Sequence, residues 1–333
     1  VADCTDCNSY EYDLHLEFEA PASSTLALGV WSGDCIYGPG IAEFSNLAIV
    51  PKSWDDLEGA VAPQTGWTAE GNSPGNHFAR SVDGLPDVDG DGRGDLVVGV
   101  PGVSTGNVRV LSGASAQTLL ELTGPDDLGH AVASAGDVNG DGVPDLVAGA
   151  PVSGQPPYDG LVNVYDARFG TLLYSKTGAA DSQLGTSVDG LGDVNGDGLA
   201  DVLGSAPYKA GVVYVFSGPQ GDVIKQFYKP QGINPKLFGN DVAGLGDVDG
   251  DGFPDILIGS PGKSGESPPG RAYVYSGATG VSLLVIEGLQ QGYAKTVAPA
   301  GDIDVDGLPD LLLSDPSHDG EGTNVGRVEV HSG

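Results

Sequence analysis

Aspartates are the residues in this sequence whose types and spacing point to chemistry. Five nine-residue stretches read Asp-x-(Asp/Asn)-x-Asp-Gly-x-x-Asp, beginning at Asp87, Asp137, Asp193, Asp247 and Asp302. The first offers Asp87, Asp89, Asp91 and Asp95, the second Asp137, Asn139, Asp141 and Asp145, the third Asp193, Asn195, Asp197 and Asp201. The fourth offers Asp247, Asp249, Asp251 and Asp255, and the fifth Asp302, Asp304, Asp306 and Asp310. To these side chains at positions 1, 3, 5 and 9 the backbone adds a carbonyl at position 7, from Arg93, Val143, Leu199, Phe253 and Leu308. An all-oxygen set of this size suits a hard cation that takes six to eight ligands. Clustered carboxylates without a cation repel one another, which is the physical reason to expect a metal.

Calcium is the expected ion, at about five sites, because the cage is all protein, many-liganded and carried on a flexible loop. No His or Cys belongs to the set, which argues against transition metals. Gly at position 6 (Gly92, Gly142, Gly198, Gly252, Gly307) permits the sharp turn that folds the carboxylates inward. The first six positions resemble a calcium-binding helix-loop-helix loop. The last acid falls at position 9 instead of 12, however, and an apolar strand follows, so the loop is placed at a β-hairpin turn. The fifth copy is the weakest, with Val305 in place of Gly at position 4.

The starts of the loops are separated by 50, 56, 54 and 55 residues, a period that indicates a repeat array. A strand leads into each loop (79–85, 131–135, 186–191, 241–245, 295–299), and an apolar strand ending at Pro101, Pro151, Pro207, Pro261 or Pro316 leaves it. A third strand runs from a Gly (106–113, 160–167, 211–218, 270–277, 326–333). A fourth follows in four copies (118–123, 171–176, 223–229, 281–287). Four antiparallel strands per repeat, arrayed radially, make a propeller blade, and the fold class is all-β. The fifth repeat has no fourth strand after its third.

Residues 1–75 carry no acidic loop and read as a degenerate blade or a cap, with the repeats occupying 76–333. Tyr10, Tyr12, Leu14, Leu16 and Phe18 alternate with Glu11, Asp13, His15 and Glu17, the pattern of a half-buried strand with an acidic outer face. Residues 25–31, 41–50 and, weakly, 66–70 read as further strands, and 54–58 as a helical turn. The strand at 10–18 is a natural cover for the open fifth blade, either its own or a neighbouring molecule's. Cys4, Cys7 and Cys35 allow one disulfide from Cys35 to Cys4 or Cys7, or three free thiols.

The 333 residues include 55 Gly and 23 Pro, aromatics are 7% and Met is absent, which favours short strands and tight turns over long helices. A formal charge of -32 repels nucleic acid and anionic membranes and attracts cations. Five divalent ions would neutralise only part of it. No apolar run approaches a membrane span, so membrane insertion is not expected. The chain starts at Val1 without a signal-like segment, which reads as a processed, secreted protein.

The order of motifs in each repeat resembles the FG-GAP repeats of integrin α-subunit β-propellers. The Phe-Gly element stands as Phe238-Gly239, Leu128-Gly129 and Leu184-Gly185. The Gly-Ala-Pro element stands as Gly99-Val100-Pro101, Gly149-Ala150-Pro151, Ser205-Ala206-Pro207 and Gly259-Ser260-Pro261. Phe78-Ala79, Tyr293-Ala294 and Ser314-Asp315-Pro316 depart from both. The resemblance implies a calcium-binding propeller with its loops on one rim. Such propellers usually have seven blades; five clear repeats and one degenerate candidate put this chain at six or seven. It also implies an extracellular binding or adhesion module for a protein or glycan ligand. The alternatives are a self-assembling subunit of a fibre or matrix, through strand exchange into a neighbour's last blade, and a polysaccharide-active enzyme.

Arg93-Gly94-Asp95 spells the tripeptide that integrins bind, but Asp95 is position 9 of its loop and would be committed to the metal. His15, His77, His130, His318 and His331 have no recurring Ser or Cys partner, so no catalytic residue is named and the chain is not expected to be an enzyme. Tyr158, Tyr208, Tyr228 and Tyr293 read as blade packing before ligand rim. No Asn-x-Ser/Thr glycosylation signal occurs.

Overall fold

The computed structural model describes residues 67–71, 75–102, 105–152, 156, 158–230, 237–262, 269–290, 292–319 and 325–333. The strands read at 10–18, 25–31 and 41–50, the helical turn at 54–58 and the three cysteines lie outside them. Blade 1 consists of β1 (Val82–Leu85), β2 (Asp95–Val100), β3 (Gly106–Leu111) and β4 (Thr118–Gly124). Blade 2 consists of β5 (Ala131–Gly136), β6 (Asp145–Ala150), β7 (Leu161–Tyr165) and β8 (Leu172–Thr177). Blade 3 holds β9 (Val188–Gly192), β10 (Asp201–Ala206), β11 (Val212–Ser217) and β12 (Asp222–Tyr228). Blade 4 holds β13 (Asp241–Gly246), β14 (Asp255–Ser260), β15 (Arg271–Tyr275) and β16 (Ser282–Glu287). Blade 5 has three strands, β17 (Val297–Gly301), β18 (Asp310–Asp315) and β19 (Arg327–His331).

Strand order in each sheet follows chain order, and every pairing is antiparallel. The burial pattern explains the sequence pattern. Second strands such as β6 and β14 are buried at all six positions, because both faces press on neighbouring blades, and they read as unbroken apolar runs. Outer strands such as β4 and β16 are mostly exposed.

The core lies between blades. Val97, Val108, Val110 and Leu122 of blade 1 pack on Leu128, Leu146, Ala148 and Tyr165 of blade 2. Equivalent clusters join blades 2 and 3, 3 and 4, and 4 and 5. The inner strands touch in sequence, β1 with β5, β5 with β9, β9 with β13 and β13 with β17. This radial succession is that of a β-propeller.

Close approach at the blade junctions accounts for the two glycine motifs. A Cβ on Gly99 would lie 2.0 Å from the carbonyl oxygen of Gly129, and Gly129 itself has φ +91°. The same clash, at 2.1 Å, separates Gly149 from Gly185. Blades 1 and 5 place Ala79 and Ala294 at the second position with φ 61° and 57°, a left-handed conformation that costs an alanine about 1 kcal/mol.

Side chains also tie β1 to β5, β9 to β13 and β13 to β17. The Asp83 carboxylate accepts the Ser134 N–H at 2.8 Å, and Ser81 Oγ accepts that of Val132 at 3.0 Å. Asp189 accepts the Gly244 N–H at 2.9 Å, and Asp241 accepts that of Val297 at 2.9 Å. Burial between the strands pushes Asp189 up to about 7, with the charges of Asp83 and Asp241 adding and the Gly244 N–H opposing. Burial likewise raises Asp241 to about 6, and raises Asp83.

Some sequence readings are corrected. Residues 67–70 form no strand; instead Trp67 packs on Val98, Val100 and Leu111 and its indole N–H donates to the Gly113 carbonyl at 2.9 Å. The inner strands of blades 1 and 5 start at Val82 and Val297, later than read, because His77, Ala79 and Ala294 turn through positive φ just before them. Tyr293 is core, but Tyr208 and Tyr228 are exposed and do not pack between blades.

Candidate metal centres

All five acidic loops join a blade's first strand to its second, so topology puts them on one rim. In each, the position-6 glycine has φ between 83° and 95°, the turn the sequence calls for. The position-1 carboxylate organises the loop by accepting backbone N–H groups. Asp87 accepts from Gly90 at 2.6 Å, Asp91 at 3.1 Å and Gly92 at 2.7 Å. Asp137, Asp193 and Asp247 repeat the pattern. Asp302 keeps the bonds from Asp306 and Gly307. Position 3 accepts from position 5 (Asp89, Asn139, Asn195, Asp249, Asp304), and position 5 accepts the N–H of position 7 (Asp91, Asp141, Asp197, Asp251, Asp306).

Position 9 differs from the rest, because Asp95, Asp145, Asp201, Asp255 and Asp310 are all buried. One oxygen of each accepts the position-2 N–H: Val88, Val138, Val194, Val248 and Ile303, at 2.7 to 3.0 Å. The other is satisfied in two ways. In loops 1, 4 and 5 it accepts the N–H of a glycine just beyond the third strand, Gly113, Gly277 or Gly333. In loops 2 and 3 the position-3 amides of Asn139 and Asn195 donate to it instead, both at 3.3 Å. The two Asn substitutions therefore have a structural role, and the glycines of Ser112-Gly113, Ser276-Gly277 and Ser332-Gly333 anchor their loops. The recurrence of Gly at the third-strand end was the available signal.

Three loops bring carboxylate oxygens within 4.8 Å of one another: Asp87, Asp89 and Asp95; Asp247, Asp249 and Asp251; Asp302, Asp304 and Asp306. Loops 2 and 3 offer the same places with an amide oxygen at position 3. Among the described residues no Lys, Arg or His forms an ion pair with a loop carboxylate; the ion pairs lie on strand faces and on the connections at the other rim. Burial pushes Asp145 up to about 7, with Asp141, Asp166 and Asp137 adding. Burial raises Asp201 to about 6, with Asp197 and Asp193 adding, and also raises Asp255. An all-oxygen set with uncompensated, mutually repelling charge fits a hard divalent cation. Val305 adopts φ 64°, an unfavourable value for a β-branched residue, in the one loop that lacks the position-4 glycine.

Asp95 of the Arg93-Gly94-Asp95 tripeptide is 2% exposed and hydrogen-bonded through both oxygens, so it is not presented to a partner. His130 is held by Asp127 at 3.4 Å and by Arg80 at 3.3 Å. Tyr293 Oη donates to Glu329 at 2.6 Å beside His331.

Fold and loops together define a β-propeller of antiparallel blades with acidic, metal-type turns on one rim. Residues 78–111, 128–165, 184–216 and 238–275 match the FG-GAP repeat family, one match in each of the first four blades. Over 183 residues the chain is 32% identical to chicken (Gallus gallus) integrin alpha-V, covering 46% of this chain and 17% of that protein. It is 32% identical over 197 residues to Xenopus laevis integrin alpha-5 (52% and 19%) and 39% over 87 residues to mouse (Mus musculus) integrin alpha-7 (25% and 7%). The matched part thus spans less than a fifth of these relatives. In structure the chain is similar to Saccharomyces cerevisiae Sqt1, with TM-score 0.50 and 11% identity over 76% of this chain and 59% of that one, a likeness of fold alone. Blades 1 to 4 are FG-GAP-like, and the described blades form an integrin-α-like β-propeller. No helix among the described residues is long and apolar enough to cross a membrane.

Proposed function

We propose that the chain is an extracellular binding module whose blades are fastened by about five calcium ions and whose opposite rim carries a protein ligand. The observation that supports this reading is the separation of roles between the two rims. One rim holds five acidic turns directed at cations. On the other run the connections between second and third strands and between blades, where Val152, Tyr208 and Leu289 are exposed. A cleft of about 520 Å³ there is lined by Leu237, Asn240, Pro261, Leu289, Gln290 and Lys295. Mixed apolar and amide linings of this kind suit recognition.

Calcium would be held by the side chains at positions 1, 3, 5 and 9 with the carbonyls at position 7. When bound it supplies charge neutralisation, letting the buried position-9 carboxylates stay ionised. The module is read as non-catalytic, since His130, His318 and His331 are each paired with an acidic residue, Asp127, Asp315 and Glu329, and a propeller does not by itself imply an activity. The test is a binding screen against extracellular proteins and glycans, with calcium and with chelator. Calcium-dependent capture of a protein, weakened by Tyr208→Ala or Leu289→Ser, supports the reading. Capture of no protein, or release of reducing ends from a polysaccharide panel, overturns it.

A further inference from the structure

Neighbouring acidic loops touch through their position-7 side chains. A Cβ on Gly196, at position 4 of loop 3, would lie 3.6 Å from Cε1 and 3.8 Å from Cζ of Phe253, at position 7 of loop 4. One on Gly140, at position 4 of loop 2, would lie 3.0 Å from Cδ2 of Leu199, at position 7 of loop 3. At the same place on Gly90 and Gly250, in loops 1 and 4, no described atom lies within 4 Å. Position 8 does not make this distinction, since Ala200, Pro254 and Pro309 each rest on the glycine before the preceding loop, Gly136, Gly192 and Gly246.

Both ends of this contact belong to a cation site. Position 7 turns its carbonyl to its own loop, and its N–H donates to a ligand carboxylate, Leu199 to Asp197 and Phe253 to Asp251, each at 2.9 Å. The glycine at position 4 stands between the ligands at positions 3 and 5, Asn139 and Asp141 in loop 2, Asn195 and Asp197 in loop 3. Loops 2 and 3 are also the two with Asn at position 3, so each has three aspartates where loops 1 and 4 have four. Cation affinity in sites of this kind rises with ligand charge and with rigidity of the loop. The loops short of a carboxylate are thus the ones that a neighbour's side chain holds in place.

We propose that Leu199 and Phe253 each set the cation affinity of the loop before their own, so that loops 2, 3 and 4 fill with positive cooperativity while loop 1 fills independently. The inference rests on the calcium reading of the loops. In loop 4 the ligating carbonyl and the hydrogen bond to Asp251 fix the Phe253 backbone. Its ring then restrains Gly196 and reduces the entropy lost when Asn195 and Asp197 close on an ion. Leu199 does the same for loop 2. Coupling between binding sites is reciprocal, so loop 4 gains from loop 3 as much as it gives. Repulsion between neighbouring ions acts in the opposite sense and is weakened by salt.

Calcium titration of the full chain carrying isotope-labelled glycine, in about 0.15 M salt, tests it by NMR. The amides of Gly92, Gly142, Gly198 and Gly252 donate to the position-1 carboxylates of their own loops and so give each site its own midpoint. Asp251→Ala is expected to raise the Gly198 midpoint about fivefold, and Asp197→Ala to raise the Gly252 midpoint by a similar factor. Phe253→Ala keeps the charge and the carbonyl; it raises the Gly198 midpoint about as much and removes its response to Asp251→Ala. Asp141→Ala deletes the same charge beside loop 1 and shifts the Gly92 midpoint less than about twofold. A Gly198 midpoint unmoved in Asp251→Ala, or moved equally when Phe253→Ala is also present, overturns the coupling. A Gly92 shift in Asp141→Ala as large as that of Gly198 assigns the effect to charge and also overturns it. Those results leave calcium binding standing, whereas glycines that do not respond to calcium overturn the calcium reading and the coupling with it.

Discussion

Asp255→Ala separates what the acidic loop does as a structural brace from what it does for a metal. The Asp255 side chain is fully buried, accepting the Val248 N–H at 2.8 Å, the Gly277 N–H at 3.0 Å and the Asp249 N–H at 3.3 Å. Alanine leaves at least two buried or part-buried donors unpaired at about 1 to 3 kcal/mol each, so the expected loss is about 2 to 6 kcal/mol before any metal is considered. Asp251 is exposed and accepts one N–H, from Phe253, so Asp251→Ala is expected to cost under about 1 kcal/mol without metal. The assay is urea unfolding of both variants and the parent, in chelator and in saturating calcium. In chelator only Asp255→Ala should be strongly destabilised; in calcium both should lose the contribution of the fourth site. If Asp255→Ala in chelator costs no more than Asp251→Ala, the position-9 aspartate is not a brace and the reasoning fails.

Other consequences follow from the same geometry. Calcium at a hundred times its dissociation constant stabilises by about 2.7 kcal/mol per site, so chelation should lower the thermal midpoint markedly and magnesium should not restore it. Asp189 and Asp241 have folded-state pKa values raised to about 7 and about 6, above the unfolded value, so the folded state binds more protons in that window. Stability in chelator should therefore fall as pH rises from 4 towards 7, and Asp189→Asn should flatten the slope of the melting midpoint against pH. Val305→Gly removes a β-branched residue from φ 64° and should raise stability by about 1 kcal/mol in denaturant titration.

The acidic loops and most strands were legible because their pattern recurs in phase. Asp, Gly and an apolar run at a fixed spacing report a turn followed by a strand buried on both faces, and β6, β10 and β14 fit that reading residue by residue. Trp67 was misread because two β-favouring residues, Trp67 and Thr68, carry no periodicity; its placement depends on Gly113, 46 positions away. The inter-blade bonds of Asp83, Asp189 and Asp241 were hidden for the same reason, since their partners lie one repeat away. A faint signal existed: Asp83 and Asp189 both stand four residues before a loop's first Asp. Exchange of the position-9 hydrogen bond between Gly113-type donors and Asn139-type donors could not be read locally, because it joins the loop to the end of the third strand. Tyr208 and Tyr228 were exposed against expectation, since an aromatic residue carries no mark of which rim or edge it occupies.

Calcium counting bears most directly on the claim that the five acidic loops are cation sites. Chain stripped with chelator and equilibrated with calcium, then analysed for metal by elemental mass spectrometry, is expected to retain about five ions per chain, falling by one in Asp251→Ala. Retention of none, or an unchanged count in that variant, would contradict it.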